Sequence, residues 1–248
     1  MKTFKSVFSL LLMVCLTLPM LMAQNEVSQR EVIALLELKA KTKGHLWTNE
    51  WDQSKPISTW HGVTVRNGKV VGLHLSNNNL QGRIPITIGN LRHLEVLDLS
   101  NNTIGGKVPG LFRKLKNLRT INLSDNALAG NIPNTIGKLT RLEELNLNNN
   151  TFMGELPQGI NELSQLRTLA VANNNLEGAI PLGMEQLKKL KRLYLAHNGF
   201  TNFDALRKLS QQQLVMTDFV VRKGVAIPID FKTSPEGLSK LEFEELQE

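Results

Sequence analysis

A motif of leucines and one asparagine recurs every 24 residues through the middle of the chain. The motif reads LxLxxNxL, and six copies follow one another without an insertion. Its first position is occupied by Leu73, Leu97, Ile121, Leu145, Leu169 and Leu193. A constant period of this length is typical of solenoids, because one repeat cannot bury its apolar face alone and must stack on its neighbours.

Each copy of the motif predicts a short strand followed by a turn. The two leucines are two residues apart, so they point to the same side of the strand, and stacked copies would share one aliphatic core. The asparagine falls where the strand ends, and there its amide can pair with backbone groups that have no strand partner. We therefore predict a structural asparagine ladder made of Asn78, Asn102, Asn126, Asn150, Asn174 and Asn198.

The second half of the repeat is equally regular, with a glycine and, three residues later, a proline in five copies, as in Gly82 and Pro85. Copies such as LEVLDLSNNTIGGKVPGLFRKL resemble the leucine-rich repeat family, specifically its plant-type 24-residue subclass. The resemblance covers about 140 of 248 residues. It implies an α/β solenoid, a right-handed superhelix with short parallel strands on its concave face, and a non-catalytic binding scaffold.

Caps are expected on both sides of the repeats, because an open end of a solenoid exposes its apolar core. The predicted organisation is a signal peptide at 1–23, an N-terminal cap at 24–70, six leucine-rich repeats at 71–210, and a C-terminal cap with an acidic tail at 211–248. In the first cap, Ser28 and Glu31 match a capping box, and the helix is expected to reach about Lys43. Asn67-Gly68 predicts a hairpin turn. The last residues, 236–248, are expected to form a short polar helix or a mobile tail.

All three tryptophans, Trp47, Trp51 and Trp60, fall within the N-terminal cap. The favoured interpretation is that they seal the first coil, and the alternative is a platform on which a sugar stacks. The segment WHGVTV, residues 60–65, resembles the N-terminal cap of plant-type leucine-rich proteins, with Val65 where those proteins carry a cysteine. This departure favours the disulfide-free secreted relatives found in bacteria.

The first 23 residues have the pattern of a secretory signal peptide. Two lysines precede an apolar stretch at residues 7–22, which ends beside Ala23. A membrane span needs about 20 apolar residues, so an uncleaved anchor is the less favoured interpretation. Cys15, the only cysteine, lies in this stretch, so cleavage would leave a chain without disulfides. The prediction is a secreted, cell-surface or periplasmic protein with no transmembrane segment in the mature chain.

The sequence offers little support for an enzyme. The five histidines are scattered singly, and no GxSxG, Walker or HExxH motif occurs. We therefore predict no catalytic residues, no metal site and no cofactor. A nucleic-acid partner is disfavoured by the predicted export and by the lack of aromatic residues interleaved with basic ones.

The strand positions that vary between copies are the best place for ligand specificity. Two such columns flank the leucines, and a third column holds only serine, asparagine or alanine, which predicts a shallow polar floor. Arginine and tyrosine are favoured binding anchors. The candidate ligand-binding residues are Asp98, Asn122, Glu144, Asn146, Arg192, Tyr194 and His197. The alternative is that a last coil simply tolerates larger side chains beside a cap. Six strands span roughly 24 Å, enough for about seven residues of extended peptide.

Basic residues also align along one flank of the repeats. They are Arg92, Lys116, Arg119, Lys138, Arg141, Arg167, Lys188, Lys189, Lys191 and Arg192. Such a flank could meet acidic polysaccharide or lipid headgroups. Three glutamates interrupt it, and the favoured interpretation is a mixed surface that maintains solubility.

These observations favour a secreted recognition module that binds a peptide, protein or glycan on the concave face. One alternative is a structural or self-associating surface or periplasmic scaffold. Another is an inhibitor of wall-degrading glycosidases, which plant-type relatives of this length resemble.

Overall fold

The computed structural model of the protein describes residues 27–203, 205–206, 216–222, 225–228 and 243–244. The predicted signal peptide at 1–23 lies outside these residues, as does most of the predicted acidic tail.

Every copy of the repeat contributes two strands, one to each of two sheets. The strands of the cap and repeats are β1 Val63–Arg66, β2 Lys69–His74, β3 Gln81–Arg83, β4 Val96–Asp98, β5 Thr103–Gly106, β6 Thr120–Asn122, β7 Ala127–Gly130, β8 Glu144–Asn146, β9 Thr151–Glu155, β10 Thr168–Ala170, β11 Asn175–Ala179, β12 Arg192–Tyr194 and β13 Gly199–Asn202.

The main sheet is formed by the leucine-bearing strands and ends on β14, Met216–Thr217. It has eight strands in the order β1-β2-β4-β6-β8-β10-β12-β14. β1 and β2 are antiparallel, and the other neighbours pair in parallel. Leu97 lies between Leu73 and Ile121, so equivalent positions of successive copies are side by side. The prediction of an α/β solenoid with stacked parallel strands is confirmed.

A second sheet, which the sequence did not predict, is built from the glycine-bearing half of each repeat. It has six strands in the order β13-β11-β9-β7-β5-β3. Gly106 ends β5 with a φ of 77°, a conformation that side chains with a Cβ seldom adopt. The chain then returns through a proline and a short 3₁₀ helix. The 3₁₀ helices are Gly44–Leu46, Ile57–Thr59, Ile86–Asn90, Gly110–Lys114, Asn134–Lys138, Gln158–Glu162 and Met184–Gln186.

The interior of the solenoid is one continuous aliphatic cluster. The first strand leucine of every copy is buried, from Leu73 to Leu193. Burying such a side chain contributes about 1.5–3 kcal/mol relative to leaving it exposed. The repeat pattern therefore supplies both the register of the strands and most of the packing between coils.

The N-terminal cap begins with helix α1, Gln29–Lys41, which is shorter than predicted. The backbone N–H and the hydroxyl of Thr42 both donate to the Leu38 carbonyl. The helix ends there because Lys43 adopts a left-handed conformation with a φ of 52°. Ser28 makes no side-chain cap bond, and its hydroxyl instead donates to the Glu31 carboxylate at 2.6 Å. The two-way capping box is therefore not formed.

Two features tie this helix to the hairpin of β1 and β2. The other carboxylate oxygen of Glu31 accepts the backbone N–H of Val70 at 3.2 Å. The hairpin turns at Asn67 and Gly68, whose φ angles of 50° and 65° are those that a type I′ turn requires.

The three tryptophans are packed inside the cap, with exposed fractions of 5% for Trp47, 2% for Trp51 and 6% for Trp60. Trp51 stacks on Trp60 with ring centroids 4.9 Å apart and meets Trp47 edge-on at 4.8 Å. Each indole N–H donates to a backbone carbonyl. So little ring surface is exposed that the cluster cannot serve as a carbohydrate-stacking platform, and that alternative is wrong.

The C-terminal region continues the repeat beyond its last recognisable copy. Thr217 of β14 pairs with Leu193, a separation of 24 residues (217 − 193). Strands β15 Phe219–Arg222, β16 Val225–Pro228 and β17 Phe243–Glu244 form a small separate sheet. The expectation of a helix or mobile tail is wrong at Phe243–Glu244, where LEFE alternates apolar and acidic residues with the period of a strand.

Among the described residues, no helix has both the length and the apolar character that a membrane span needs.

Candidate functional site

One row of side chains crosses three strands of the main sheet near its C-terminal end. Glu144 of β8, Thr168 of β10 and Arg192 of β12 occupy equivalent positions and lie side by side. Nε of Arg192 donates to Oγ1 of Thr168 at 2.9 Å, and Nη2 donates to Oε1 of Glu144 at 3.0 Å. The two charged side chains remain 44% and 46% exposed, so the ion pair contributes about 0–1 kcal/mol to stability. Its main effect is to hold charges of both signs in a fixed arrangement on the surface.

In the next row along the strands, Ala170 lies between Asn146 and Tyr194 and is only 2% exposed. Tyr194 is half-buried at this position. Burial raises the pKa of Tyr194 above its ordinary value of 10.0; Arg192 opposes the shift and Asp218 adds to it. The phenol therefore keeps its proton at neutral pH and can donate a hydrogen bond.

Asp98, Asn122 and Asn146 form one column on the same face and share one arrangement. A side-chain oxygen of each accepts the backbone N–H two residues later, at 3.0–3.2 Å. These bonds orient the side chains along the strand ends. The third column, which holds only serine, asparagine or alanine, is more buried than a polar floor requires, as Ser100 and Ser124 show. The polar floor is therefore formed by the first two columns rather than by the small residues.

His197 lies apart from those columns, in the turn that follows β12. It is exposed and has a φ of 54°. Left-handed backbone recurs at the equivalent residue of every copy, namely Asn77, Asn101, Asp125, Asn149 and Asn173. Asparagine and aspartate tolerate this conformation best among residues with a Cβ. This column was not predicted, although asparagine or aspartate precedes the ladder asparagine in five copies.

This turn column carries a second chain of side-chain hydrogen bonds. Asn149 donates to Asp125 at 2.7 Å, and Asn173 donates to Asn149 at 2.7 Å. Arg192 and Tyr194 thus share strand β12, whereas His197 lies in the turn that follows this strand.

The asparagines of the predicted ladder lie on the inner side of the turns. Nδ2 of Asn126 donates to the carbonyls of Leu99, Leu123 and Ser124 at 3.0–3.2 Å, and Oδ1 accepts the N–H of Ile104 at 3.0 Å. The amide nitrogens of Asn102, Asn150, Asn174 and Asn198 make the equivalent three bonds. Each asparagine therefore links the turn of its own coil to that of the preceding coil.

Asn78, the first member, differs because it has the cap instead of a preceding coil. Its Oδ1 accepts the N–H of Asn49 at 2.6 Å. Its Nδ2 is buried and has no hydrogen-bond partner among the described residues. The cap is therefore joined to the repeats by fewer side-chain bonds than the coils are to one another.

Much of the basic flank is paired with neighbouring coils. Arg119 contacts Glu143 at 2.6 Å, and Arg141 donates to Asn117 at 2.8 Å. Arg167 also approaches Glu143, at 3.6 Å. Over these coils, basic side chains therefore alternate with the acidic and amide side chains that pair with them, and the flank is not a continuous cationic ridge.

Asp218 closes the main sheet next to the candidate site. It occupies the position after β14 that is equivalent to Tyr194, and it is 9% exposed. Its carboxylate accepts the backbone N–H groups of Leu195 at 2.8 Å and Ala196 at 3.1 Å. In the preceding coils a backbone carbonyl accepts the N–H that corresponds to that of Leu195. Burial raises the pKa of Asp218 above 3.8, although the backbone hydrogen bonds oppose the shift.

We expect this carboxyl group to make stability depend on pH. Because its pKa is higher in the folded state, the folded chain binds the proton more tightly, and stability is lost as pH rises above 3.8 and through the folded pKa. Asp218→Asn keeps an acceptor oxygen without the charge. The melting temperature of the variant relative to wild type should therefore increase from pH 4 to pH 7. A difference that stays constant over this range would contradict the assignment.

In the part of the chain that the structure describes, no group of three or more histidine, cysteine, aspartate or glutamate side chains could hold a metal ion.

Family models and a curated relative match the repeat region. A leucine-rich repeat model matches residues 69–128, and a model of two leucine-rich repeats matches residues 116–161. Receptor-like protein 36 of Arabidopsis thaliana is 42% identical over 66 residues, which are 26% of this chain and 9% of that protein. The match thus spans less than a tenth of that relative's length.

Solved structures are similar over a larger part of the chain. A plant ice-binding protein aligns with a TM-score of 0.71 and 26% identity, covering 78% of this chain and 64% of that one. The Arabidopsis receptor kinase HAESA, in complex with the peptide hormone IDA and the co-receptor SERK1, aligns with a TM-score of 0.68 and 27% identity. That alignment covers 78% of this chain and 34% of HAESA. The repeat period, the strand register and these matches show that residues 69–161 consist of leucine-rich repeats.

Proposed function

We propose that the protein is an exported, non-catalytic recognition module that binds an extended peptide or a protein segment on the exposed face of the main sheet. The site lies over β8, β10 and β12. The observation that carries the proposal is the fixed row of Arg192, Thr168 and Glu144 on the exposed face of these strands. Export is supported by the signal-peptide pattern of the first 23 residues.

The chemistry of this surface suits a peptide backbone. Arg192 and Tyr194 on β12 carry hydrogen-bond donors, and Glu144 and Asn146 carry acceptors on β8, the next strand but one. An extended peptide presents both kinds of group at every residue. The arrangement therefore offers hydrogen-bond pairing to the backbone of an extended peptide.

The similarity to known proteins supports recognition in general terms. HAESA is a leucine-rich structure solved with a peptide hormone and a co-receptor. An ice-binding protein shares the same fold, so the fold alone does not select the ligand. The choice of a peptide or protein segment rests on the side chains of β8, β10 and β12.

Alanine substitution at the two anchors is the test of this proposal. A displayed library of random seven-residue peptides would be selected on the full chain, and one enriched peptide would be labelled for fluorescence polarisation. Arg192→Ala and Tyr194→Ala should each weaken binding by about 30-fold, because anchor residues contribute about 2 kcal/mol.

A matched control is available on the second sheet. Thr201 of β13 is exposed and distant in the fold from this row, so Thr201→Ala should leave the affinity unchanged. All three variants should remain folded, with Arg192→Ala and Thr201→Ala melting close to wild type and the half-buried Tyr194→Ala melting somewhat lower. If no peptide is enriched, or if the anchor variants bind as wild type does, the alternative of a structural or self-associating scaffold gains support.

A further inference from the structure

A concavity outside the main sheet is lined by basic residues alone. It has a volume of about 540 Å³, and its walls are Arg92, Arg113, Lys114, Lys116 and Lys138. These residues come from three successive coils and lie at the ends of the 3₁₀ helices or just beyond them. Arg113 and Lys114 were not part of the basic flank identified from the sequence, although Lys114 lies one repeat before Lys138, which was.

A second concavity, of about 600 Å³, adjoins the first through Arg113. Its charged walls are Lys41, Arg83, Lys107 and Arg113, with Glu37 as its one acidic residue. The carboxylate of Glu37 already accepts the hydroxyl of Thr87 at 2.7 Å. We call the basic residues of both concavities the cationic band. It consists of Lys41, Arg83, Arg92, Lys107, Arg113, Lys114, Lys116 and Lys138.

Among the residues that the structure describes, acidic side chains neutralise little of this band. Lys138 contacts Glu162 at 2.9 Å. Lys116 donates to the carbonyl of Lys138 at 2.8 Å and makes no ion pair with an acid in this part of the chain. Elsewhere on the flank, arginines meet glutamates directly, as Arg119 meets Glu143. Like charges gathered in a concave site repel one another and attract a counterion, so the band favours an anionic partner.

We propose that the cationic band binds a linear polysaccharide that carries one carboxylate on each sugar. Two joined concavities suit a chain that passes over Arg113, whereas a flat lipid surface would meet only their rims. No aromatic residue lines either concavity, so stacking of nucleic-acid bases is not provided for. Arginine presents a planar fork that matches a carboxylate with two parallel hydrogen bonds. The surface lies outside the eight-stranded sheet, so it is independent of the peptide site proposed above.

The test uses the full chain and alginate, a linear polyuronate, in a binding titration at low and at high salt. Arg92→Gln, Arg113→Gln and Lys116→Gln are combined in one variant. Wild type should bind alginate at low salt and lose affinity steeply as salt is added. The triple variant should bind at least about tenfold more weakly, because it removes three of the eight positive charges of the band.

The control variant carries the same change in net charge outside the band. It combines Arg30→Gln, Arg141→Gln and Lys191→Gln, all exposed, and should bind alginate like wild type. Melting curves and binding of the library-selected peptide check that each variant is folded. Equal loss in both triple variants would overturn the proposal, since it would indicate diffuse attraction by net charge. Preference for heparin or for anionic vesicles over alginate would also overturn it.

Discussion

Trp51→Ala is expected to lower the free energy of unfolding of the N-terminal cap by about 3–5 kcal/mol. Trp51 is buried, stacks on Trp60, meets Trp47 edge-on, and donates its indole N–H to the carbonyl of His61 at 2.8 Å. The described part of the chain has no cysteine, so the cap is held by packing and hydrogen bonds. Removing the central ring leaves a cavity between the two others and an unpaired carbonyl.

The position of the tryptophans gives this experiment a local signal. All three lie in the cap, so tryptophan fluorescence reports on the cap and circular dichroism on the whole solenoid. In the variant, the fluorescence transition should move to lower denaturant than the circular dichroism transition. Leu46→Ala, at a residue of the same cap that is 41% exposed, should change stability by less than about 1 kcal/mol. Two coincident, unshifted transitions for the Trp51 variant would show that the cluster does not hold the cap.

Asn126→Ala should destabilise the central coils by roughly 3 kcal/mol, the upper end of the range for one buried group left unsatisfied. Its amide nitrogen donates to three carbonyls in two coils, and its oxygen accepts the N–H of Ile104. Other asparagines also donate to some of these carbonyls, as Asn102 does to Leu99. The loss should therefore stay near that upper end rather than exceed it.

The matched control for the ladder is Asn131→Ala in the same coil. Asn131 is exposed and lies outside the ladder, so its replacement should shift stability by no more than about 0.5 kcal/mol. Urea unfolding followed by circular dichroism measures both variants. Equal midpoints for the Asn126 and Asn131 variants would show that the ladder bonds do not stabilise the stacked coils.

The stacking of the coils could be predicted from the sequence because the period is constant. Equal spacing places Leu73, Leu97 and Ile121 at equivalent positions, and parallel pairing then follows from the need to bury them. The second sheet could not be predicted in this way. Its strands contain glycines such as Gly106, which weaken a strand signal, and they pair only because the main sheet already aligns the coils.

Features that depend on three-dimensional neighbours were the hardest to foresee. Arg192 and Glu144 are two coils apart in sequence. They form an ion pair because the side chain of Arg192 extends across β10 to reach the glutamate. The cationic band has a similar origin, since Arg113 and Lys116 occupy different positions of the repeat. The strand β14 keeps the 24-residue spacing, although Thr217 stands where the other copies have an aliphatic side chain. Asp218 supplies a carboxylate oxygen where the preceding coils use a backbone carbonyl.

Recognition by the exposed face of the main sheet is tested most directly by a crystal structure of the full chain with a library-selected peptide. The proposal predicts an extended peptide across β8, β10 and β12, with hydrogen bonds to Arg192 and Tyr194. A peptide seated on the second sheet, on the cationic band or on the cap, without contact to Arg192 or Tyr194, would contradict it.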